Sequence, residues 1–284
     1  MTSMSIREVS LFVEVVGRGY PIAIMHGGPG AGDHHSMLSL RPCGKQFTLV
    51  FYDHRCNGRS EGADVSSMTW ENLTADAEAL RQLLGFGKWA VLGHSFGGMV
   101  ALEFALRYPD SLSHLLLVDT CGDIRWAQEK APDALAQRGY SPDTVNLARR
   151  YFTGQITPYE LLPTMMKLSR AYYHHLGPLQ LLRDLPVGLR QKLRPEAFIF
   201  AFSQLLTGWT VMDRLIEIRV PTLVLAGRDD FEFPPEHQEA LAAGIPNAQL
   251  RIIDQAGHNA PTERPAEVNR AIMEFMAATP SNCA

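Results

Sequence analysis

The stretch Lys88-Trp-Ala-Val-Leu-Gly-His-Ser95-Phe-Gly-Gly-Met-Val-Ala-Leu-Glu-Phe-Ala-Leu-Arg-Tyr108 decides the fold. Its first part, KWAVLGHS, is a short apolar run of the kind buried on both faces of a parallel sheet. Residues 97–108 read as a helix that stops before Pro109. Between them stands Gly93-His94-Ser95-Phe96-Gly97, a G-x-S-x-G pattern. Small residues recur by chance, so the pattern gains weight only from lying between a strand and a helix. A sharp strand-to-helix turn holds such a serine in a strained backbone conformation, and the flanking glycines allow the close approach this requires. The hydroxyl is then expected at the carboxyl end of the strand and at a helix N-terminus. Free N–H groups and the helix dipole favour a developing negative charge there. Ser95 is the expected nucleophile.

Outward from this turn the same rhythm repeats. IAIMHG (22–27), FTLVFYD (47–53) and LSHLLLVDT (112–120) read as strands, and residues 8–16 as a half-exposed strand or hairpin. Leu73, Ala77, Leu80 and Leu84 mark one face of a helix over 69–84, ended by Gly85 and Gly87. Near Cys121 the rhythm stops. Residues 122–213 show no convincing strand and read as several short helices. The alternation then returns with PTLVLAG (221–227), a helix at 234–244, AQLRIID (248–254) and a last helix near 263–278. This predicts an α/β core of residues 1–121 and 214–284, with a mainly parallel sheet, helices on both faces and a helical insertion at 122–213.

A serine nucleophile needs an oxyanion site, a base and an acid. His26-Gly-Gly-Pro-Gly30 directly follows the strand IAIM. A loop in that position supplies one backbone N–H to the oxyanion and the residue after the nucleophile supplies the other, so Gly28 and Phe96 are the candidates. Losing one such donor costs roughly 3 kcal/mol of transition-state binding. His26 is read as a structural histidine of the loop. The expected chain order is Ser, then acid, then His. The strand 221–227 runs into Arg228-Asp229-Asp230-Phe231-Glu232-Phe233-Pro234, and Asp230 is chosen, with Asp229 read as a turn cap. Gly257-His258-Asn259 follows the next strand and gives His258 as the base, while Asp254 is the weaker third acid. The remaining histidines are read as surface, loop or cap residues. His174-His175 lacks the spacing that puts two ligands on one helix face, so no metal is expected.

These motifs together resemble the α/β-hydrolase superfamily over nearly the whole chain. The resemblance implies an eight-stranded-type sheet and a helical cap, corresponding to 122–213, over the site. HGGPG resembles the proline iminopeptidase-like subgroup. So does GRDDFEFPP, where the acid stands four residues before the proline, which supports Asp230 over Asp229. DHRCNGRS (53–60) resembles the family's D-x-R-G-x-G-x-S turn, with Cys56 in place of a glycine. The chain departs from many iminopeptidases in having GHSFG rather than GGSWG. It also lacks their W-E motif, whose acids hold the substrate's amino group; Glu232, Glu160 and Asp184 are substitutes, of which only Glu232 is near the site in sequence.

The expected activity is therefore cleavage of a small or medium carboxylic ester or lactone through an acyl-enzyme. The alternatives are a proline iminopeptidase-type aminopeptidase, with Glu232 as amine anchor, and a ligand receptor on the hydrolase fold. Aromatic and Met residues of the insertion imply cap core and an apolar pocket. No cofactor is expected. The chain has 284 residues, 46% apolar and 20% charged, with a net charge of −4. That suits a soluble protein with a small-molecule substrate and gives no reason to expect nucleic acid or an anionic membrane as partner. The N-terminus MTSMSIREVSLFVEVVG has no signal-peptide h-region, and no apolar run approaches the roughly 20 residues of a membrane helix, so the expected compartment is the cytoplasm. Cys43, Cys56, Cys121 and Cys283 lack C-x-x-C spacing and are read as free thiols.

Overall fold

A computed structural model describes residues 2–279 of the chain. Eight strands form one sheet: β1 (Thr2–Ile6), β2 (Val9–Gly17), β3 (Tyr20–Met25), β4 (Phe47–Tyr52), β5 (Trp89–His94), β6 (Leu112–Val118), β7 (Thr222–Gly227) and β8 (Ala248–Ile253). Their spatial order is β1-β2-β4-β3-β5-β6-β7-β8. Only β1–β2 and β2–β4 pair antiparallel; from β4 to β8 every pair is parallel. The segment 8–16 is thus the second arm of a hairpin whose first arm, β1, has too little apolar alternation to be read from sequence.

The β5 side chains show why the sheet is covered on both sides. Trp89 and Val91 join the core under α1 (Trp70–Leu83) and α2 (Phe96–Arg107), while Ala90 and Leu92 join the other core. That second core also holds Phe275 and Ile272 of the C-terminal helix Pro265–Ala278, and Met37 and Leu40 of a 3₁₀ segment, His34–Lys45. A period of two, apolar at every position, needs cover on both faces. The 3₁₀ segment carries no periodic apolar signal, because its face is broken by Pro42 and by buried histidines. Helix α1 starts where Thr69 Oγ1 caps the Asn72 N–H and ends at Gly85, whose φ of 75° closes the last turn.

Between β6 and β7 the chain forms helices and turns: α3 (Ala131–Gln137), α4 (Pro142–Phe152), α5 (Leu161–Leu168), α6 (Pro178–Gly188) and α7 (Pro195–Phe200). Its two ends meet in a single antiparallel bridge, Asp123 with Thr210. The chain then adds α8 (Pro235–Gly244), α9 (Ala260–Glu263) and α10 (Pro265–Ala278). Because the strands from β3 to β8 run parallel, the loops after β3, β5, β6, β7 and β8 leave the sheet at one edge. Cys43, Cys56 and Cys121 are free thiols, and Cys283 lies outside the described residues. Among the described residues no helix is long and apolar enough to cross a membrane.

Candidate active site

Ser95 sits in the turn from β5 to α2 at φ 53° and ψ −123°. A non-glycine residue in this region carries strain on the order of 1–3 kcal/mol and persists only where its surroundings over-determine it. Here they do. The Ser95 N–H donates to Val118 O at 3.0 Å, and Thr120 Oγ1 donates to Ser95 O at 2.6 Å. A Cβ on Gly93 would come within 2.2 Å of Gly97 O, and one on Gly97 within 2.1 Å of Met25 O. Both glycines are therefore required by backbone packing.

His258 and Asp230 meet this serine. His258 Nε2 lies 3.0 Å from Ser95 Oγ, and His258 Nδ1 lies 2.9 Å from Asp230 Oδ2. The other Asp230 oxygen accepts the N–H groups of Glu232 at 2.8 Å and Phe233 at 3.1 Å. Burial disfavours the imidazolium, but the Asp230 and Glu232 carboxylates outweigh it and raise the His258 pKa. Asp229, its neighbour in sequence, does not enter this chain. Its side chain is 39% exposed and pairs with His174 Nδ1 at 2.8 Å, rather than capping the turn. Asp254 is exposed and pairs with Arg228.

The HGGPG loop borders the serine. A Cβ on Gly27 would stand 2.9 Å from Ser95 Cβ. Gly28 has φ 63°, and its carbonyl accepts the N–H groups of Ala31 and Gly32. Among the described residues the N–H groups of Gly28 and Phe96 have no protein acceptor. The loop is pinned from the 53–60 turn: Gly30 N–H donates to Asn57 Oδ1 at 2.5 Å, and His54 N–H to His26 Nε2 at 3.2 Å. Cys56 has φ 63°, so the turn is left-handed at this position without a glycine. His26 is fully buried with its pKa lowered by burial, which suits a neutral ring bonded to Gly27 O and to His54 N–H.

A cavity of about 500 Å³ opens above Ser95, His258, Gly28 and Phe96. Tyr151, Phe152, Met165, Tyr172 and Phe198 line it from the helical segment, while Trp126, Tyr140, Tyr159 and Met166 do not. Glu232 lines it and is buried, with Oε2 3.6 Å from His258 Nε2. Burial raises the Glu232 pKa. Asp184 lines it too, accepting from Tyr173 Oη at 2.8 Å. Glu160 is remote, closing a capping box with Thr157.

Two features escaped the sequence. The reading of the remaining histidines as surface, loop or cap residues holds for His54, a loop residue although buried, and fails for His94 and His114, buried on β5 and β6, for His237, buried on α8, and for His34 and His35, buried in the 3₁₀ segment. His94 Nε2 bonds the His258 carbonyl at 2.9 Å, and no sequence signal links residues so far apart. The second is Asp119, just after β6, whose carboxylate accepts Gly227 N–H at 2.7 Å and Ala260 N–H at 3.2 Å. It ties the end of β7 to the loop bearing His258. Asp33, His34 and His35 form a grouping of metal-ligand type. Their bonds run to one another, to Asp53 and to Lys192 N–H, with the Arg59 guanidinium on the His35 ring, so they act as pins between loops.

A family model described as the alpha/beta hydrolase fold matches residues 20–265. The chain is 28% identical over 273 residues to a 2-hydroxy-6-oxo-6-phenylhexa-2,4-dienoate hydrolase of Comamonas testosteroni, covering 92% of this chain and 88% of that protein. It is 27% identical to a proline iminopeptidase of Thermoplasma volcanium, covering 89% of this chain and 87% of that one. Among solved structures, a thermophilic esterase from Thermogutta terrifontis superposes with a TM-score of 0.73 at 28% identity, over 98% of this chain and 99% of the esterase.

Proposed function

The chain belongs to the α/β-hydrolase family, with proline iminopeptidases among its relatives, and on that premise we propose that it is a serine hydrolase that cleaves small or medium carboxylic esters or lactones through an acyl-enzyme. The observation that carries this reading is the continuous chain Ser95 Oγ–His258 Nε2, His258 Nδ1–Asp230 Oδ2 at the floor of a largely apolar cavity. Ser95 attacks the carbonyl while His258 takes its proton. Asp230 orients the ring and balances the imidazolium. The N–H groups of Phe96 and Gly28 stabilise the oxyanion. His258 then returns the proton to the leaving group and activates water. Residues 122–213 act as a cap that shapes the pocket and excludes bulk water.

Glu232 favours a second reading. A buried carboxyl beside the base is a site for a substrate amino group, as an aminopeptidase requires. Hydrolysis of p-nitrophenyl butyrate, a γ-lactone and proline p-nitroanilide by the same preparation separates the two. Preference for the ester or lactone is expected; strong preference for the anilide overturns the ester reading. Ligand binding with no turnover of any of the three would point to a receptor.

A further inference from the structure

The imidazole of His258 has a carboxyl group at each nitrogen. Asp230 occupies Nδ1 at 2.9 Å. At Nε2, Ser95 Oγ stands at 3.0 Å and Glu232 Oε2 at 3.6 Å. One short turn builds both contacts, since the Glu232 N–H holds Asp230 Oδ1 while its side chain reaches the opposite side of the ring. A base needs Nε2 unprotonated and facing the nucleophile. A carboxylate beside that nitrogen favours the opposite state, an imidazolium whose Nε2–H is shared with Glu232.

The other groups around the pair do not cancel this. Asp119 faces His258 from the end of β6 with its oxygens engaged by backbone N–H groups. His94 meets the His258 carbonyl, and burial pushes its own pKa down, leaving it neutral. Tyr172 reaches Glu232 from the helical segment and Tyr151 reaches Tyr172, both held un-ionised by burial. Cys121 is also near Glu232, its thiol kept neutral by burial. The described residues bring no Lys or Arg ion pair to Glu232. Its open side is the cavity, which Glu232, Tyr151 and Tyr172 all line.

We propose that Glu232 is a positioning residue that controls the base: as a carboxylate it holds His258 as an imidazolium, and a substrate group that binds Glu232 from the cavity frees Nε2 to accept the Ser95 proton. The inference rests on the assignment of Ser95 and His258 above. Among carboxylic esters and lactones it favours those that carry a cationic or hydrogen-bond-donating group close to the scissile carbonyl, with simple esters such as p-nitrophenyl butyrate turned over more slowly. The benefit of that group then falls on kcat, because it switches the base on as well as adding affinity.

The first test needs no turnover and so stands apart from the nucleophile assignment. The His258 imidazole is titrated by NMR in Ser95→Ala protein and in Ser95→Ala/Glu232→Gln protein, the resonance being identified by its absence in His258→Asn. The midpoint is expected to fall by about one pH unit or more when Glu232 is neutral; an unchanged midpoint overturns the proposal. The second test is the pH profile of kcat/KM for p-nitrophenyl butyrate. With Glu232→Gln the acid limb moves to lower pH, so that activity measured about one pH unit below the wild-type midpoint rises roughly five- to tenfold. Glu232→Asp restores the wild-type limb in part. A limb that stays in place in Glu232→Gln also overturns it. If Glu232→Gln fails to fold, Glu232→Asp carries both tests, since it withdraws the carboxylate by one methylene: a midpoint lower than wild type supports the proposal and an unchanged one overturns it. By contrast, wild-type turnover in Ser95→Ala removes the nucleophile assignment itself.

Discussion

The floor of the cavity and the helices facing it are made differently. On the floor, Ser95, Gly28, Asp230 and His258 sit on turns at the ends of parallel strands, where backbone atoms approach so closely that glycines 93 and 97 have no room for a Cβ. Position there is fixed by main chain. The facing helices contribute mostly apolar and aromatic surface, including Phe152, Phe198 and Phe202. Leu181, Leu182 and Leu185 of α6, and Leu189 at its C-cap, are exposed. The two regions are joined by a small set of polar ties. Arg194 N–H donates to Gly30 O at 2.7 Å, Lys192 N–H to Asp33 Oδ2 at 3.0 Å, and Asn259 N–H to Tyr172 O at 3.3 Å. His174 pairs with Asp229. A floor fixed by backbone gives chemistry with little tolerance. A facing surface made of side chains leaves substrate choice open to change.

The contrast is broken most directly at the floor. Ser95→Ala and His258→Ala are each expected to lower kcat by about 10⁴-fold or more while the protein stays folded, as assayed on p-nitrophenyl butyrate with circular dichroism as the control. Wild-type turnover in folded Ser95→Ala would end the proposed mechanism. Next is the pair of adjacent carboxylates. Asp230→Asn should cost about 10³–10⁴-fold in kcat, whereas Asp229→Asn should cost no more than a few-fold. The reverse ranking would assign the acid to Asp229.

Two smaller effects sharpen the boundary. Gly30 has φ 66°, and a Cβ there would lie 2.3 Å from Arg194 O and 2.4 Å from Phe198 N. Gly30→Ala should therefore push the helical segment away from the loop, lowering stability by about 2 kcal/mol in a urea titration and raising KM more than it lowers kcat. An unchanged KM would show that this tie does not set the pocket. Smallest is Leu182→Gln at an exposed position of α6. It should stay within about 0.5 kcal/mol of wild type, because little burial is lost. A loss of several kcal/mol would mean that this position is covered in solution.

Much of the fold was legible because its signals are local. The buried strands announce themselves as short apolar runs, α1 by its spacing and its terminal glycine, and the turn at Ser95 by glycines that tight backbone packing demands. The 3₁₀ segment at His34–Lys45 was not legible, since its buried face consists partly of histidines bonded to Asp33 and Asp53, partners that only the folded chain supplies. Cys56 is similar. Its residue type argues against a left-handed turn, and bonds on either side brace it there: Asn57 Nδ2 donates to Arg55 O, Asn57 N–H to His54 O, and the Cys56 thiol to Asp64 O.

The sequence by itself determined the order of β2 to β8 and of α1, α2, α8 and α10, the strand–serine–helix turn, and the candidates Ser95, Asp230 and His258, because each rests on periodicity or on a motif a few residues long. The tertiary structure decided which of two adjacent aspartates meets the imidazole. It also decided that His94 and Asp119 brace the loop of His258, and that the Glu232 carboxyl lies 3.6 Å from the nitrogen that faces Ser95. Those facts depend on where separate loops converge at one edge of the sheet. Residues far apart in the chain become neighbours there only through the pairing of β5, β6, β7 and β8, and no local pattern encodes the distance between their side chains.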